Sequence, residues 1–276
     1  MVTDEMCARG AQRLSGIAEN PLREARLIAA FARGMSLSDI IVKGGEAVGA
    51  DGEKIFFECI EKRAAKMPLA YITGKREFYG LEFEVNDKVL IPRPDTETLV
   101  EFAINAEADS AVDICTGSGC IAVALKKHRP DMTVAAVDIS AGALEIAAGN
   151  AGRHNADIEF QKKDILKEIP NGRFAMLISN PPYITDEEMR GLMPEVKDFE
   201  PHLALRGGAD GLLFYRRLCE IAPRILKSGG IAAFEAGAGQ HEAVAEIMDK
   251  NFENIGFCRD LGNIKRVIYG KLKNNY

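Results

Sequence analysis

From about residue 108 the chain alternates short β-rich runs with helical stretches, and this alternation constrains its fold more than any other feature. Residues 111–115, 133–138, 158–162, 175–179, 230–235 and 266–269 read as strands, with helical spacing between most of them. Each helix carries the chain back to the end where the previous strand began, so successive strands pair in parallel. The expected product is an α/β fold, a parallel sheet covered by helices on both faces. Phe252, Ile255 and Phe257 predict a further strand near the end, and a final hairpin would close the sheet. No internal repeat or low-complexity segment interrupts the pattern.

The N-terminal part has a different character. Leu22, Ala25, Leu27, Ile28 and Phe31 recur at helical spacing, as do Ile55, Phe56, Cys59 and Ile60, with Gly44, Gly45 and Gly49 between them. These apolar faces are expected to pack together as a small bundle. Residues 76–91 then turn β-rich, through Phe78, Tyr79, Leu81, Phe83, Val85, Val89, Leu90 and Ile91, with a turn signal at Asn86-Asp87. Pro92 and Pro94 stiffen the exit, and Asp95 or Thr96 is placed to cap a helix through Leu99, Val100 and Phe102. The expected organisation is a helical domain over 1–75, a hairpin linker over 76–94 and the larger domain over 95–276. A chain of 276 residues, 47% hydrophobic, supplies enough core for both.

Composition narrows the function classes. The formal net charge is −6, which lowers the expectation of a nucleic-acid binder without excluding a local basic groove. The six cysteines form no C-x-x-C pair, and none of the four histidines completes a metal-ligand spacing, so no metal is expected. Reduced thiols are the expectation, as in a cytosolic protein. The first ten residues carry acids where a signal peptide needs bases, and no apolar run approaches the roughly 20 residues that span a membrane. A soluble cytoplasmic protein, with nothing demanding more than a monomer, is the expectation.

Asp113-Ile114-Cys115-Thr116-Gly117-Ser118-Gly119-Cys120 follows a strand and opens a helix. Glycines at such a turn let the backbone approach a ligand and leave amide N–H groups facing it. The next strand ends in Asp138, about 20 residues on, where an acid can accept both hydroxyls of a ribose. The pair fits a dinucleotide or S-adenosylmethionine. The second is favoured, because the third glycine of a dinucleotide loop is here Ala122. Asp164, after the strand at 158–162, is placed either to accept from an adenine amino group or merely to cap a turn.

Asn180-Pro181-Pro182-Tyr183 directly follows the strand at 175–179, on the sheet edge where ligands bind. Two prolines donate no backbone hydrogen bonds and hold a rigid extended path. What the segment presents is acceptors, the Asn180 side-chain oxygen and the Pro181 carbonyl, together with the flat face of Tyr183. That suits a planar, conjugated NH₂ group. Its nitrogen is a poor nucleophile, and two acceptors gripping its N–H bonds raise electron density there and aim it at a sulfonium methyl. A proline-rich turn with a capping Asn is the plainer alternative.

These residues resemble the release factor glutamine methyltransferases, which modify the glutamine of the Gly-Gly-Gln motif in peptide chain release factors. The resemblance runs from about Tyr71 to Arg266. It includes Tyr71-Ile72-Thr73-Gly74, Glu77-Phe78-Tyr79-Gly80, Ile91-Pro92-Arg93-Pro94-Asp95-Thr96-Glu97, the glycine loop, 180–183, Glu200-Pro201 and Asp210-Gly211-Leu212. Asn-Pro-Pro-Tyr is shared with adenine-N6 methyltransferases, whereas the 91–97 segment beside Glu-Phe-Tyr-Gly is far more specific. The resemblance implies a seven-stranded Rossmann-like S-adenosylmethionine-dependent methyltransferase domain, with a small N-terminal helical domain that helps dock the release factor. It implies that Cys115, Thr116, Gly117, Ser118, Gly119, Asp138, Asp164, Ile165 and Asn180 bind the cofactor, leaving S-adenosylhomocysteine as product. Asn180 and Pro181 would hold the glutamine amide, Pro182 and Tyr183 would line its pocket, and Arg93 and Glu97 would border it. Two departures stand out: Cys115 takes a place where many members have glycine, and in Asp260-Leu261-Gly262-Asn263 the glycine comes one position early, so the final turn is expected to differ locally.

Rival readings share the amino-group chemistry. An adenine-N6 methyltransferase of DNA or RNA must extrude a base and grip phosphates with a basic surface. Residues 1–90 hold 13 Lys and Arg against 14 Asp and Glu, a near-neutral balance that fits docking on protein instead of direct nucleic-acid binding. A sister activity on a glutamine of a ribosomal protein stays open, as does a non-catalytic cofactor sensor. Nothing marks a hydride-transfer site.

Overall fold

The computed structural model describes residues 1–274, which divide into two compact units. The first comprises Met1–Lys75 together with Met193–Phe199, and the second comprises Arg76–Leu192 and the chain from Glu200 onward.

The first unit is helical: α1 (Thr3–Arg13), α2 (Pro21–Arg33), α3 (Leu37–Val42), α4 (Ala50–Ala64) and α5 (Leu69–Thr73). Local signals set the ends of these helices. Asn20 accepts from the Arg23 amide ahead of Pro21, Gly34 closes α2 in the left-handed conformation, and Ser36 with Asp39 forms a reciprocal capping box for α3. The apolar faces bury Met6, Ile28, Ile40, Phe56 and Ile60 in one core. Arg63, 4% exposed, is held there by Glu24 at 2.6 Å and Glu195 at 2.9 Å.

The second unit opens with a hairpin, β1 (Lys75–Phe78) and β2 (Leu81–Glu84). Its turn is Tyr79-Gly80, both at positive φ, rather than the Asn86-Asp87 pair that composition favoured. Gly80 adopts that conformation freely, and Glu97 Oε1 accepts from the Tyr79 amide at 2.9 Å and holds the less willing tyrosine in place. Asn86 instead turns the chain locally by accepting from the Lys88 amide. A 3₁₀ turn, Pro94–Thr96, leads into α6 (Glu97–Asn105). Neither expected cap operates there: Thr96 makes no side-chain cap, and Asp95 pairs with Arg266 at 2.8 Å.

There follow β3 (Ser110–Ile114), α7 (Cys120–His128), β4 (Thr133–Asp138), α8 (Ala141–Arg153), β5 (Glu159–Lys162) and β6 (Phe174–Ser179). After the short helices α9 (Glu188–Gly191) and α10 (Pro194–Lys197) come α11 (Leu213–Ile225), β7 (Leu226–Glu235), α12 (His241–Asp249), β8 (Phe252–Arg259) and β9 (Lys265–Leu272). The seven strands lie in the order β5-β4-β3-β6-β7-β9-β8. All neighbours run parallel except β9, which is antiparallel to both β7 and β8. The terminal hairpin and the parallel body both match the sequence expectation.

Alternation along the strands explains why both faces are dry. Val134 and Ala136 of β4 and Met176 and Ile178 of β6 pack on one side with α6 and α7. Ala135, Val137 and Leu177 pack on the other with Tyr215, Leu218 and Ile221 of α11 and Val244 of α12. Because β4 and β6 flank β3 on opposite sides, the winding direction reverses at β3. Ligand sites of such sheets open beyond the strand ends at that point.

Candidate active site

A cavity of about 270 Å³ opens at the carboxyl ends of β3, β4, β5 and β6, and its lining includes Cys115, Gly117, Asp138, Asp164, Ile165 and Asn180. Its first wall is made by the turns after β3, β4 and β5. Gly117 sits at φ +55 with open space where a side chain would project, so its backbone faces the cavity uncovered. The Gly117 amide donates to Asp138 Oδ2 and the Ser140 amide to Asp138 Oδ1, both at 2.9 Å, so the carboxylate is aimed while each oxygen keeps a free lone pair. Burial raises the Asp138 pKa, and the amides oppose that rise. Gly119, at φ +78, lets α7 start against Ala147, whose Cβ lies 3.0 Å from where a Gly119 side chain would begin.

Thr116 and Ser118, 3% and 2% exposed, shape this loop from behind and are absent from the cavity lining. Thr116 Oγ1 donates to Asp113 Oδ2 at 2.6 Å, and the Ser118 carbonyl accepts from Asn150. Asp113 is wholly buried, and burial pushes its carboxyl up to about 7. Asp164 holds its local turn and stands at the cavity as well. It accepts from the Leu166 amide and pairs with Lys167 at 2.8 Å, which lowers its pKa, and it also lines the cavity.

The second wall begins with 180–183 beyond β6. Asn180 and Pro182 line the cavity, Pro181 is buried, and Tyr183 is partly buried beside them. Asn180 Nδ2 donates to Thr96 Oγ1 at 3.1 Å. Gln240 clamps the segment from the far side, its Nε2 donating to the Tyr183 carbonyl at 2.9 Å while its Oε1 accepts from the Gly237 amide. Burial, reinforced by the Glu235 carboxylate, pushes the Tyr183 phenol up to about 12, so the ring is neutral. Arg93, Asp95 and Arg266 are its other charged neighbours. Arg93 itself is held by Glu200 at 2.5 Å, whose other oxygen accepts from the Ile91 amide. Glu97 is spent on the hairpin turn, and neither Arg93 nor Glu97 lines the cavity.

Sequence reading named Asn180, Tyr183, Asp138 and Asp164 but passed over Glu235, Gln240, Glu200 and Arg266 as members of the acceptor wall. Glu235 left one signal. It closes an apolar strand with an acid on the ligand edge, as Asp138 closes β4.

The donor set fits a nucleoside bearing a cationic sulfonium. Asp138 and Asp164 offer acceptors, Ile139, Leu166, Leu203 and Phe214 offer apolar surface, and uncovered backbone at Gly117 lies between. Among the described residues no group of three or more potential metal ligands converges, and no helix is long and apolar enough to cross a membrane.

Known proteins resemble this chain in sequence and in fold. Residues 94–195 match the family model of the methyltransferase small domain, and residues 5–74 match that of the PrmC N-terminal domain. A release factor glutamine methyltransferase from Geobacter sulfurreducens is 42% identical over 77% of this chain and 76% of its own length. One from Koribacter versatilis is 39% identical over 91% of each chain. Among solved structures, a methyltransferase from Pyrococcus furiosus shares the fold, with a TM-score of 0.54 at 18% identity over 82% of this chain and 100% of that one.

Proposed function

We propose that this chain, which belongs to the release factor glutamine methyltransferase family, transfers a methyl group from S-adenosylmethionine to the side-chain amide nitrogen of the glutamine in the Gly-Gly-Gln motif of peptide chain release factors. The observation that carries the reading is the placement of Asn180 and Pro182 in the same cavity as Asp138 and Asp164. An amide acceptor and a nucleoside site share one enclosure.

The bound cofactor supplies an electrophilic methyl group on a sulfonium. The chain's own residues do the rest. Asp138 receives the ribose hydroxyls, Asp164 and Ile165 receive the base, and the amides of the glycine loop receive the remaining polar groups, with Thr116, Ser118 and Gly119 holding that loop in shape. Asn180 Oδ1 and the Pro181 carbonyl accept the two N–H bonds of the substrate amide, which raises electron density on nitrogen and fixes its direction. Pro182 and the neutral Tyr183 ring confine the amide plane. Arg93 borders the entrance, braced by Glu200, and Glu97 acts at one remove by fixing the hairpin turn.

The catalytic unit begins at Arg76 with the hairpin, and the helical unit, Met1–Lys75 with Met193–Phe199, docks the release factor. Its near-neutral charge supports a protein partner in place of nucleic acid. We place the reaction in the cytoplasm and read the enzyme as a monomer. The test is radiolabelled methyl transfer to a purified release factor, beside a copy whose Gly-Gly-Gln glutamine is alanine. Label is expected on the first and not the second. Label on neither, with label on a ribosomal protein, DNA or RNA, would overturn the substrate.

A further inference from the structure

Glu235 is the last residue of β7, 1% exposed, on the ligand edge of the sheet. A carboxylate is expensive to bury without partners, yet Glu235 Oε2 has no hydrogen-bond partner among the described residues. The Thr96 side chain, the Arg266 charge and the Asn180 side chain support its charged form, and Thr96 and Asn180 do so by hydrogen bonding. Thr96 and Asn180 meet in the acceptor wall, where Asn180 Nδ2 donates to Thr96 Oγ1 at 3.1 Å. Thr96 is 2% exposed, and its hydroxyl, having accepted from Asn180, has one proton left to give. The Glu235 carboxylate, whose charge the Thr96 side chain supports first among its neighbours, is the group placed to receive it.

The inventory of the Asn180 side chain then decides its orientation. A primary amide has two N–H donors on one side and an acceptor oxygen on the other. Thr96 and ionised Glu235 both offer acceptors, so both select the nitrogen side. The oxygen is left for the cavity that Asn180 lines. Turned over, the amide would point N–H groups at the N–H groups of a substrate amide, a contact that repels.

We propose that Glu235, acting with Thr96, is a positioning residue for methyl transfer: the pair holds the Asn180 amide nitrogen inward so that Oδ1 faces the substrate amide. The proposal rests on the reading of Asn180 as the substrate acceptor.

Protonation should disable the device. A protonated Glu235 presents a donor where Asn180 meets an acceptor, which favours the overturned amide. Burial pushes the Glu235 carboxyl up to about 7, opposed by Thr96, by Arg266 of β9 and by Asn180, and reinforced by Asp95. The other titratable groups around it are the Tyr183 and Tyr215 phenols, the latter donating to the Glu235 backbone carbonyl at 2.8 Å, and the Cys120 thiol of α7. Those phenols and that thiol are all raised by burial and stay neutral near pH 7.

The experiment measures kcat and KM on a purified release factor from pH 5.5 to 9, with cofactor Kd and thermal unfolding alongside. The proteins are wild type, Glu235→Gln, Thr96→Val and Asn180→Ala. Glu235→Gln and Thr96→Val are each expected to lower kcat by about 10- to 100-fold, with KM and cofactor Kd within about twofold. The wild-type kcat should fall as pH drops through about 7, and Glu235→Gln should lack that limb. A Glu235→Gln enzyme with wild-type kcat, or one that keeps the acid limb, overturns the proposal. If Glu235→Gln unfolds, Thr96→Val decides by the same kcat criterion. Asn180→Ala separates the two levels: if it stays active, the acceptor reading itself has failed. If it is inactive while Glu235→Gln is normal, only the role of Glu235 has failed.

Discussion

The cofactor wall and the acceptor wall of the cavity draw on very different stretches of chain. Cys115, Gly117, Asp138, Asp164 and Ile165 come from three successive strand ends, and the Asp138–Gly117 bond spans 21 residues. The acceptor wall joins Asn180 to Thr96 across 84 residues, Gln240 to Tyr183 across 57 and Arg93 to Glu200 across 107. The first wall needs only consecutive strand–helix turns to form correctly. The second exists only when β6, β7, β9 and the 93–97 segment have all found their places. The walls should therefore be separable by mutation, one governing cofactor affinity and the other turnover.

The largest separation is expected at Asn180. Replacing it with alanine removes the proposed substrate acceptor and should lower kcat by something on the order of 10³-fold, the scale of losing a donor or acceptor that serves the transition state. Cofactor Kd by calorimetry should move less than about threefold. Equal loss of both would mean that the walls are not distinct. Asp138→Ala should show the reverse pattern. The lost carboxylate, proposed to receive the two ribose hydroxyls, also accepts from the Gly117 and Ser140 amides. Cofactor Kd should rise by about 10- to 100-fold, as for the loss of a charged acceptor. With cofactor at saturation, kcat should recover to within a few-fold. An unchanged Kd would break the ribose assignment.

The same difference in span explains what could be read from the residues alone. The glycine loop, Asp138 and 180–183 each announce themselves within eight residues of sequence, since a strand end, a turn and a helix start are local events. Gln240 does not, and Glu235 leaves only its place at a strand end, because the role proposed for each depends on the neighbour that the sheet order brings, and nothing adjacent in sequence names that neighbour. Thr96 was expected to cap α6. Its local position supports capping, but its hydroxyl faces Asn180 instead, and the tertiary partner prevails. The hairpin turn fell to Tyr79-Gly80 for a related reason. Asn86-Asp87 has the better turn composition, but Glu97, 18 residues on, secures the tyrosine at positive φ.

The smallest expected effects sharpen the comparison at two positions where a residue other than glycine holds left-handed backbone. Cys115, in the cofactor wall, has φ +64, and Asn263, in the β8–β9 turn, also has φ +64. In that turn the left-handed position is 263, next to Gly262, and asparagine fills it. Left-handed backbone costs an ordinary L-residue about 1–2 kcal/mol and asparagine less. At most sites glycine is less stable than alanine, because it loses more freedom on folding. At these two sites the order should invert. Cys115→Gly should be more stable than Cys115→Ala by about 1 kcal/mol in denaturant titrations, and Asn263→Gly should exceed Asn263→Ala similarly. The two sites should then part company. Cys115 lines the cavity, so its substitutions shift cofactor Kd, whereas Asn263 lies outside that lining and its substitutions leave Kd unchanged. Alanine matching glycine at Cys115 would mean that the loop relaxes to accept a side chain, and the backbone of the cofactor wall would be softer than its hydrogen bonds indicate.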